Sequence, residues 1–200
     1  MTEQNELLKA AREIQPELVE LRRLIHREPE LGLSLPATRE KVLASLEGLP
    51  LDIVLHEKTS GIVATLRGRR SGRKVLLRGD MDALPMPEDT DLPFRSTNEG
   101  AMHACGHDAH TAMLVGAARV LAARRESLEG EVVFMFQPGE EGFHGARYMI
   151  EEGAIEGCDA AFALHITPLL PPGIIATRAG AALASADFFE MTVRDRPCCH

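Results

Sequence analysis

The 200-residue sequence has no tryptophan, one tyrosine and seven phenylalanines, so aromatic side chains make up only 4% of it. That scarcity gives no hint of a stacking platform for flat groups such as indole or benzoyl. Basic charge is short as well. The 22 Lys and Arg stand against 30 Asp and Glu, a formal net charge of −8, which leaves no positive field to release counterions from a polyphosphate and argues against a nucleic-acid binder. No apolar run approaches the roughly 20 residues that cross a bilayer. The opening Thr2-Glu3-Gln4-Asn5-Glu6 lacks the basic-then-apolar profile of a secretory signal. The expectation is a cytoplasmic chain with a small-molecule partner, no nucleic acid and no membrane. Its four cysteines, Cys105, Cys158, Cys198 and Cys199, are too few and too irregularly spaced for a disulfide framework. Internal repeats, low-complexity segments and phosphate-cradling glycine loops are missing too.

What is present suits a packed core: 44% hydrophobic and 26% charged residues match the globular average rather than the signature of disorder. From Ile14, the residues Leu18, Leu21 and Ile25 fall on one face of an amphipathic helix that ends before Pro29. Ile62 to Leu66 and Val75 to Leu77 read as short buried strands bounded by glycines, with the basic stretch Arg67 to Lys74 between them as an exposed hairpin. A long loop follows, from Asp80 to His107, and loops of that length within a compact domain are usually functional. Asp108 can cap a helix carrying Leu114, Ala117, Ala118 and Leu121 on one face. Val132 to Phe136 is a third strand, Gly145 to Glu152 a short helix stopped by Gly153, Ala160 to Leu164 a fourth strand and Gly173 to Thr177 a fifth. Strands alternating with helices predict an α/β fold with a mostly parallel sheet flanked by helices. Asp187 to Arg194 alternates like a half-exposed strand and opens a second domain near residue 180. The expected division is therefore 1–180 and 181–200.

Ligand sites in such sheets lie beyond the carboxyl ends of the strands, and those positions here are rich in donors. Asp80 and Asp82 follow the second strand. Gln137-Pro138-Gly139-Glu140-Glu141 follows the third, His165 the fourth, and His103-Ala104-Cys105-Gly106-His107-Asp108 precedes a helix. Each has an ordinary reading alone: Asp-x-Asp as turn chemistry, Glu-Glu as a solvated loop, His165 as a hydrogen-bonded core histidine, Cys105 as a buried thiol. Four such loops on one sheet edge together assemble the carboxylate, imidazole and thiol set of a transition-metal site. Adjacent like charges call for a division of roles, so Glu141 is assigned to a cation. Glu140 is assigned as the base that takes a proton from water acidified by that cation.

The segments His26-Arg27-Glu28-Pro29-Glu30-Leu31-Gly32, Arg78 to Pro85, His103 to His110, Gln137 to Gly142 and Ala163-Leu164-His165 resemble, in order, those of the metal-dependent N-acyl-amino-acid amidohydrolases. The likeness is to the hippurate hydrolase and auxin-conjugate hydrolase branch of the aminoacylase and carboxypeptidase clan. It implies a zinc-exopeptidase-like catalytic domain with two divalent ions, whether zinc, manganese, nickel or cobalt. It also implies Cys105, His107, Glu141 and His165 as ligands, Glu140 as general base and Asp82 behind the ligands, orienting one of them. Asp80 stands where much of the clan has a ligating histidine, and is a further candidate for the supporting layer. The implied reaction cleaves an N-acyl-L-amino acid into a carboxylic acid and an amino acid.

Members of that family are about twice as long, oligomeric, and carry an inserted lid domain and a last ligating histidine near the C-terminus. The expectation is therefore a truncated chain with four ligands where five belong, binding metal weakly and turning over slowly alone. Cys198, Cys199 and His200 follow no glycine-rich turn and are poor site candidates. The competing expectation is a non-catalytic remnant that binds metal or a partner; a two-metal phosphoesterase is disfavoured by the lack of glycine loops.

Overall fold

The computed structural model describes residues 3–181, 183 and 189–193, which fall into two compact units, Met1–Ile166 and Thr167–His200. The first unit carries every regular element. In chain order these are helices α1 (Glu3–Arg27) and α2 (Pro36–Leu46), strands β1 (Leu51–Leu55), β2 (Ile62–Arg67) and β3 (Arg70–Asp80), helix α3 (His107–Ala122), strand β4 (Glu129–Gln137), helix α4 (Gly145–Glu151) and strand β5 (Ala160–Ala163). They form one five-stranded sheet in the order β1-β2-β4-β3-β5. Strands β4, β3 and β5 pair in parallel, and β2 runs antiparallel to both β1 and β4. Four of the five strands thus point the same way. Among the described residues no helix is long and apolar enough to cross a membrane.

The core divides by strand parity, because successive side chains leave opposite faces of a sheet. On one face the cross-strand pairs Ile62 with Phe136, Ala64 with Phe134 and Leu66 with Val132 meet Leu21 and Ile25 of α1, Val42 and Leu46 of α2, and Leu114, Val115 and Ala118 of α3. On the other face Leu76, Val133 and Met135 pack with Met149 of α4 and Ala154. The helices therefore cover both faces. Strand β4 lies between β2 and β3 and is buried on both sides from Val132 to Gln137.

That central place explains the main departure from the sequence pattern. Arg67 to Lys74 is not a hairpin: β4 inserts between β2 and β3. The linking backbone bonds to the start of β4 instead, with Gly68 N–H donating to Gly130 O and Arg69 N–H to Leu128 O. Burying Val132–Phe136 on two faces gains more apolar area than a local turn between amphipathic strands would.

Two elements absent from the periodic reading are α2 and β1. Strand β1 is largely exposed, so its alternation carries no burial signal. Helix α2 is capped from a distance, since the Glu30 carboxylate accepts from Ala37 N, Thr38 N and Thr38 Oγ1 at 3.2, 2.7 and 2.8 Å. Helix α1 begins at Glu3, ahead of the expected Ile14, and runs through Pro16; none of its residues 4–13 is fully buried, and only Leu7 and Ala10 among them are half-buried. The expected strand at 173–177 is not formed, and Ile174 and Ile175 stand exposed with no strand partner among the described residues. Of the expected strand 187–194, Phe189–Val193 lacks regular structure, while Asp187, Phe188, Arg194, Cys198, Cys199 and His200 lie outside the described residues.

Phe134 is fully buried at the centre of the larger cluster. Phe134→Ala is expected to lower the unfolding free energy by about 3–5 kcal/mol, read as a fall in urea midpoint at unchanged slope.

Candidate metal centre

The end of β3 and the end of β4 lie side by side, with Asp80 level with Gln137, and the chain beyond them is stitched by one carboxylate. Asp82, 1% exposed, accepts the Glu140 N–H at Oδ1 (2.9 Å) and the Glu141 N–H at Oδ2 (3.0 Å). The neighbouring Ala83 N–H donates to Glu30 O at 2.8 Å. From the other side α3 begins at His107, its N-cap Gly106 in the left-handed region at φ 84°. A side chain there would be strained by that φ and would have to displace the Ile166 side chain, whose Cδ1 lies 2.2 Å from the Cβ position.

These elements gather every residue singled out as a ligand. His107 Nε2 lies 3.6 Å from Asp80 Oδ2, 3.7 Å from Glu141 Oε1 and 3.9 Å from Glu140 Oε2, while Nδ1 lies 3.5 Å from Asp82 Oδ1. Cys105 Sγ is 3.5 Å from His165 Nε2. The three spacings from His107 Nε2 are long for hydrogen bonds but natural for atoms sharing an ion, since two ligand atoms each about 2.1 Å from one tetrahedral cation stand about 3.4 Å apart. Cys105, His107 and His165 form one group able to hold an ion, and His107, Glu140 and Glu141 form another. A third comprises Asp80, His107 and His110.

The polar bookkeeping points the same way. His107 Nε2 and Glu141 Oε1 are buried without a hydrogen-bond partner, a costly arrangement that a cation would relieve. His165 is already oriented as a donor: its Nδ1–H donates to Ile166 O at 2.6 Å, leaving the Nε2 lone pair on the Cys105 side. The donor set of thiol, imidazole and carboxylate fits zinc and its first-row neighbours.

The electrostatics are those of an acidic nest. Burial alone would raise the Asp80 carboxyl, but the hydrogen bond from His110 and the charges of His107 and Arg78 outweigh it and hold it at about 2. Burial lowers His107, yet Asp82, Asp80 and Glu141 raise it above its ordinary value. Burial, then Glu141 and Glu140, push the Cys105 thiol up to about 11. A divalent ion reverses that last effect, because a coordinated thiol gives up its proton.

A second buried polar group supports the helix that carries His107. Asp108 is not the cap of α3, a place held by Gly106. Its carboxylate is taken by Arg22 Nε at 2.7 Å and His26 Nδ1 at 2.6 Å, which bind α1 to the first turn of α3. The other nitrogen of His26 faces Glu88 at 3.3 Å; with Asp108 as the main cause, His26 titrates above its usual value. His26 and Glu30, both in the 26–32 segment, therefore act as struts rather than ligands. Spacing along the chain could not reveal this, since their partners lie up to 82 residues away.

With the geometry in place, comparison with known proteins is decisive. The model of the peptidase family M20/M25/M40 matches residues 76–197. The chain belongs to that family. It is 41% identical over 180 residues to the N-acetylcysteine deacetylase of Bacillus subtilis, covering 90% of this chain and 47% of that one. It is 40% identical over 192 residues to the IAA-amino acid hydrolase ILR1-like 2 of Arabidopsis thaliana, covering 95% and 44%. Among solved structures it is similar to the Bacillus subtilis YXEP protein, a dinuclear metal-binding peptidase of the M20 family, at TM-score 0.77 and 41% identity, covering 80% of this chain and 45% of that one. This M20-family chain thus spans about half the length of the relatives it matches.

Asp80 supplies a measurable test of the nest. Its carboxyl is held below the unfolded value, so its contribution is present above about pH 4 and is lost as pH falls through about 2. In the metal-free chain Asp80→Asn is expected to cost about 2 kcal/mol at neutral pH. Urea unfolding should show the gap to the parent chain closing between about pH 4 and pH 2.

Proposed function

We propose that this chain carries the metal-binding and general-base machinery of an amidohydrolase that cleaves N-acyl-L-amino acids to a carboxylic acid and an amino acid. The observation that carries the reading is the unequal setting of two adjacent glutamates around one histidine. Glu141 is the more enclosed, its side chain 21% exposed and its Oε1 without a partner. Glu140, 43% exposed, opens towards solvent while keeping Oε2 within 3.9 Å of His107. One is placed to hold a cation and the other to exchange a proton. The names of the deacetylase and of the IAA-amino acid hydrolase support amide cleavage.

In this reading Cys105, His107, Glu141 and His165 would hold two divalent ions, with zinc, manganese, nickel and cobalt all admitted by the donor set. Once bound, the ions supply Lewis acidity, lowering the pKa of water towards 7 and polarising the substrate carbonyl. Glu140 accepts the proton of the attacking water at its carboxylate as the new C–O bond forms, then returns it to the amine nitrogen as the amide C–N bond breaks. Asp82 keeps both glutamates in place through their N–H groups and faces the His107 Nδ1 edge. A free thiol ligand is best kept reduced in the cytoplasm, where we place the protein.

Glu140→Gln is expected to leave metal stoichiometry unchanged and to lower turnover of N-acetyl or N-benzoyl amino acids by roughly 10²–10⁴-fold. Atomic absorption and amine-release assays check the two halves. Metal retention with undiminished turnover would remove Glu140 from the reaction, and absence of both metal and turnover in the parent chain would remove the reading.

A further inference from the structure

His110 lies one turn beyond His107 on α3, 3% exposed, and no step above uses it. Its Nε2 is 2.9 Å from the Ile166 N–H and its Nδ1 is 2.6 Å from Asp80 Oδ1. A backbone N–H can only donate, so Nε2 must be the unprotonated acceptor and Nδ1 must carry the proton that it donates to Asp80. Both nitrogens are then committed, and His110 has no lone pair left for an ion despite lying within reach of Asp80 and His107.

The residue it grips is unusual. Ile166 is held at three points: its N–H by His110, its carbonyl by the His165 Nδ1–H at 2.6 Å, and its side chain over the bare backbone of Gly106 between Cys105 and His107. The His110 ring also stands edge-on to the His165 ring, with centroids 4.7 Å apart at 71°. His165 is itself exposed at the end of an edge strand, so its aim depends on this clasp rather than on burial.

We propose that His110 is a positioning residue: by accepting the Ile166 N–H at Nε2 while anchored to Asp80 through Nδ1–H, it sets the His165 imidazole against Cys105. The inference deepens the metal reading above and rests on it for its purpose, though not for its geometry. Side chains that keep one arm each separate the contributions. In His110→Asn the amide nitrogen takes the place of Nδ1 and the Ile166 arm is lost. In His110→Gln the amide oxygen takes the place of Nε2 and the Ile166 arm is kept.

The test uses cobalt(II) alone as probe on the 200-residue chain. His110→Asn is expected to raise the cobalt dissociation constant by roughly 10–100-fold and to alter the thiolate-to-cobalt charge-transfer and ligand-field bands. His110→Gln should stay within about threefold of the parent, with the parent spectrum. Equal weakening by both variants, or no change in either, overturns the proposal. A second readout needs no metal: imidazole nitrogen shifts of the metal-free chain should show His110 protonated at Nδ1, and the His165 resonances should move in His110→Asn but not in His110→Gln. Protonation of His110 at Nε2, or His165 resonances indifferent to both variants, overturns it equally. Failure of the parent chain to bind cobalt would strike the metal reading alone, leaving the nitrogen shifts to decide the clasp.

Discussion

One buried carboxylate holds the centre together. Asp82 takes the N–H groups of Glu140 and Glu141 on its two oxygens and presents Oδ1 to the His107 ring. Two stretches of chain, after β3 and after β4, are thereby tied together by a single residue, and the start of α3 faces the same carboxylate at 3.5 Å. Hydrogen bonds to a charged acceptor in a dry setting are the stronger kind. That strength is needed, because the groups so held repel one another: Asp80, Glu140 and Glu141 all point at His107 Nε2. Crowding of acids that a protein would ordinarily disperse is tolerated where a cation is to be bound.

Around that core lies a layer of struts made from residues with no chemistry of their own to do. Asp108, Arg22 and His26 join α1 to the first turn of α3. Glu30 caps α2 with its side chain and receives Ala83 N–H on its carbonyl, so the same short segment braces a helix and the loop leaving Asp82. The Glu88 side chain, buried beside His26, accepts from Thr90 Oγ1 and Ser96 N and keeps the long 81–106 loop folded against α1. Phe94 adds to this, with the guanidinium groups of Arg22 and Arg23 5.3 and 5.1 Å from its ring centre. A loop of that length stays ordered because its own side chains are spent on it.

The α/β class, the apolar strands Ile62–Leu66, Val75–Leu77 and Val132–Phe136, and the donors at their ends were legible in the chain, because strand parity and strand-end chemistry are local signals. Cys105, His107, Glu140, Glu141 and His165 could be singled out as candidates for the same reason, and the fold brings them together in two groups that share His107. The place of β4 between β2 and β3 was not legible, nor was the part played by His110, for each depends on partners far away in sequence; the cap on α2 comes from Glu30, six residues before the helix, which no local cap pattern marks. Asp108 shows the limit well: its position suits a helix cap, yet half-buried Arg22 and buried His26 claim the carboxylate first.

Sequence alone determined which atoms could bind a cation and that they would stand at one edge of a sheet, since residue chemistry and side-chain alternation require no knowledge of neighbours. Tertiary structure decided which of those atoms are left unpaired and where each points. Asp80 became a buried anchor for His110 and Arg78, and His165 was aimed through the backbone of Ile166. The reason is physical: a hydrogen bond or an orphaned lone pair is a property of two groups at a distance, and that distance exists only once the chain has folded.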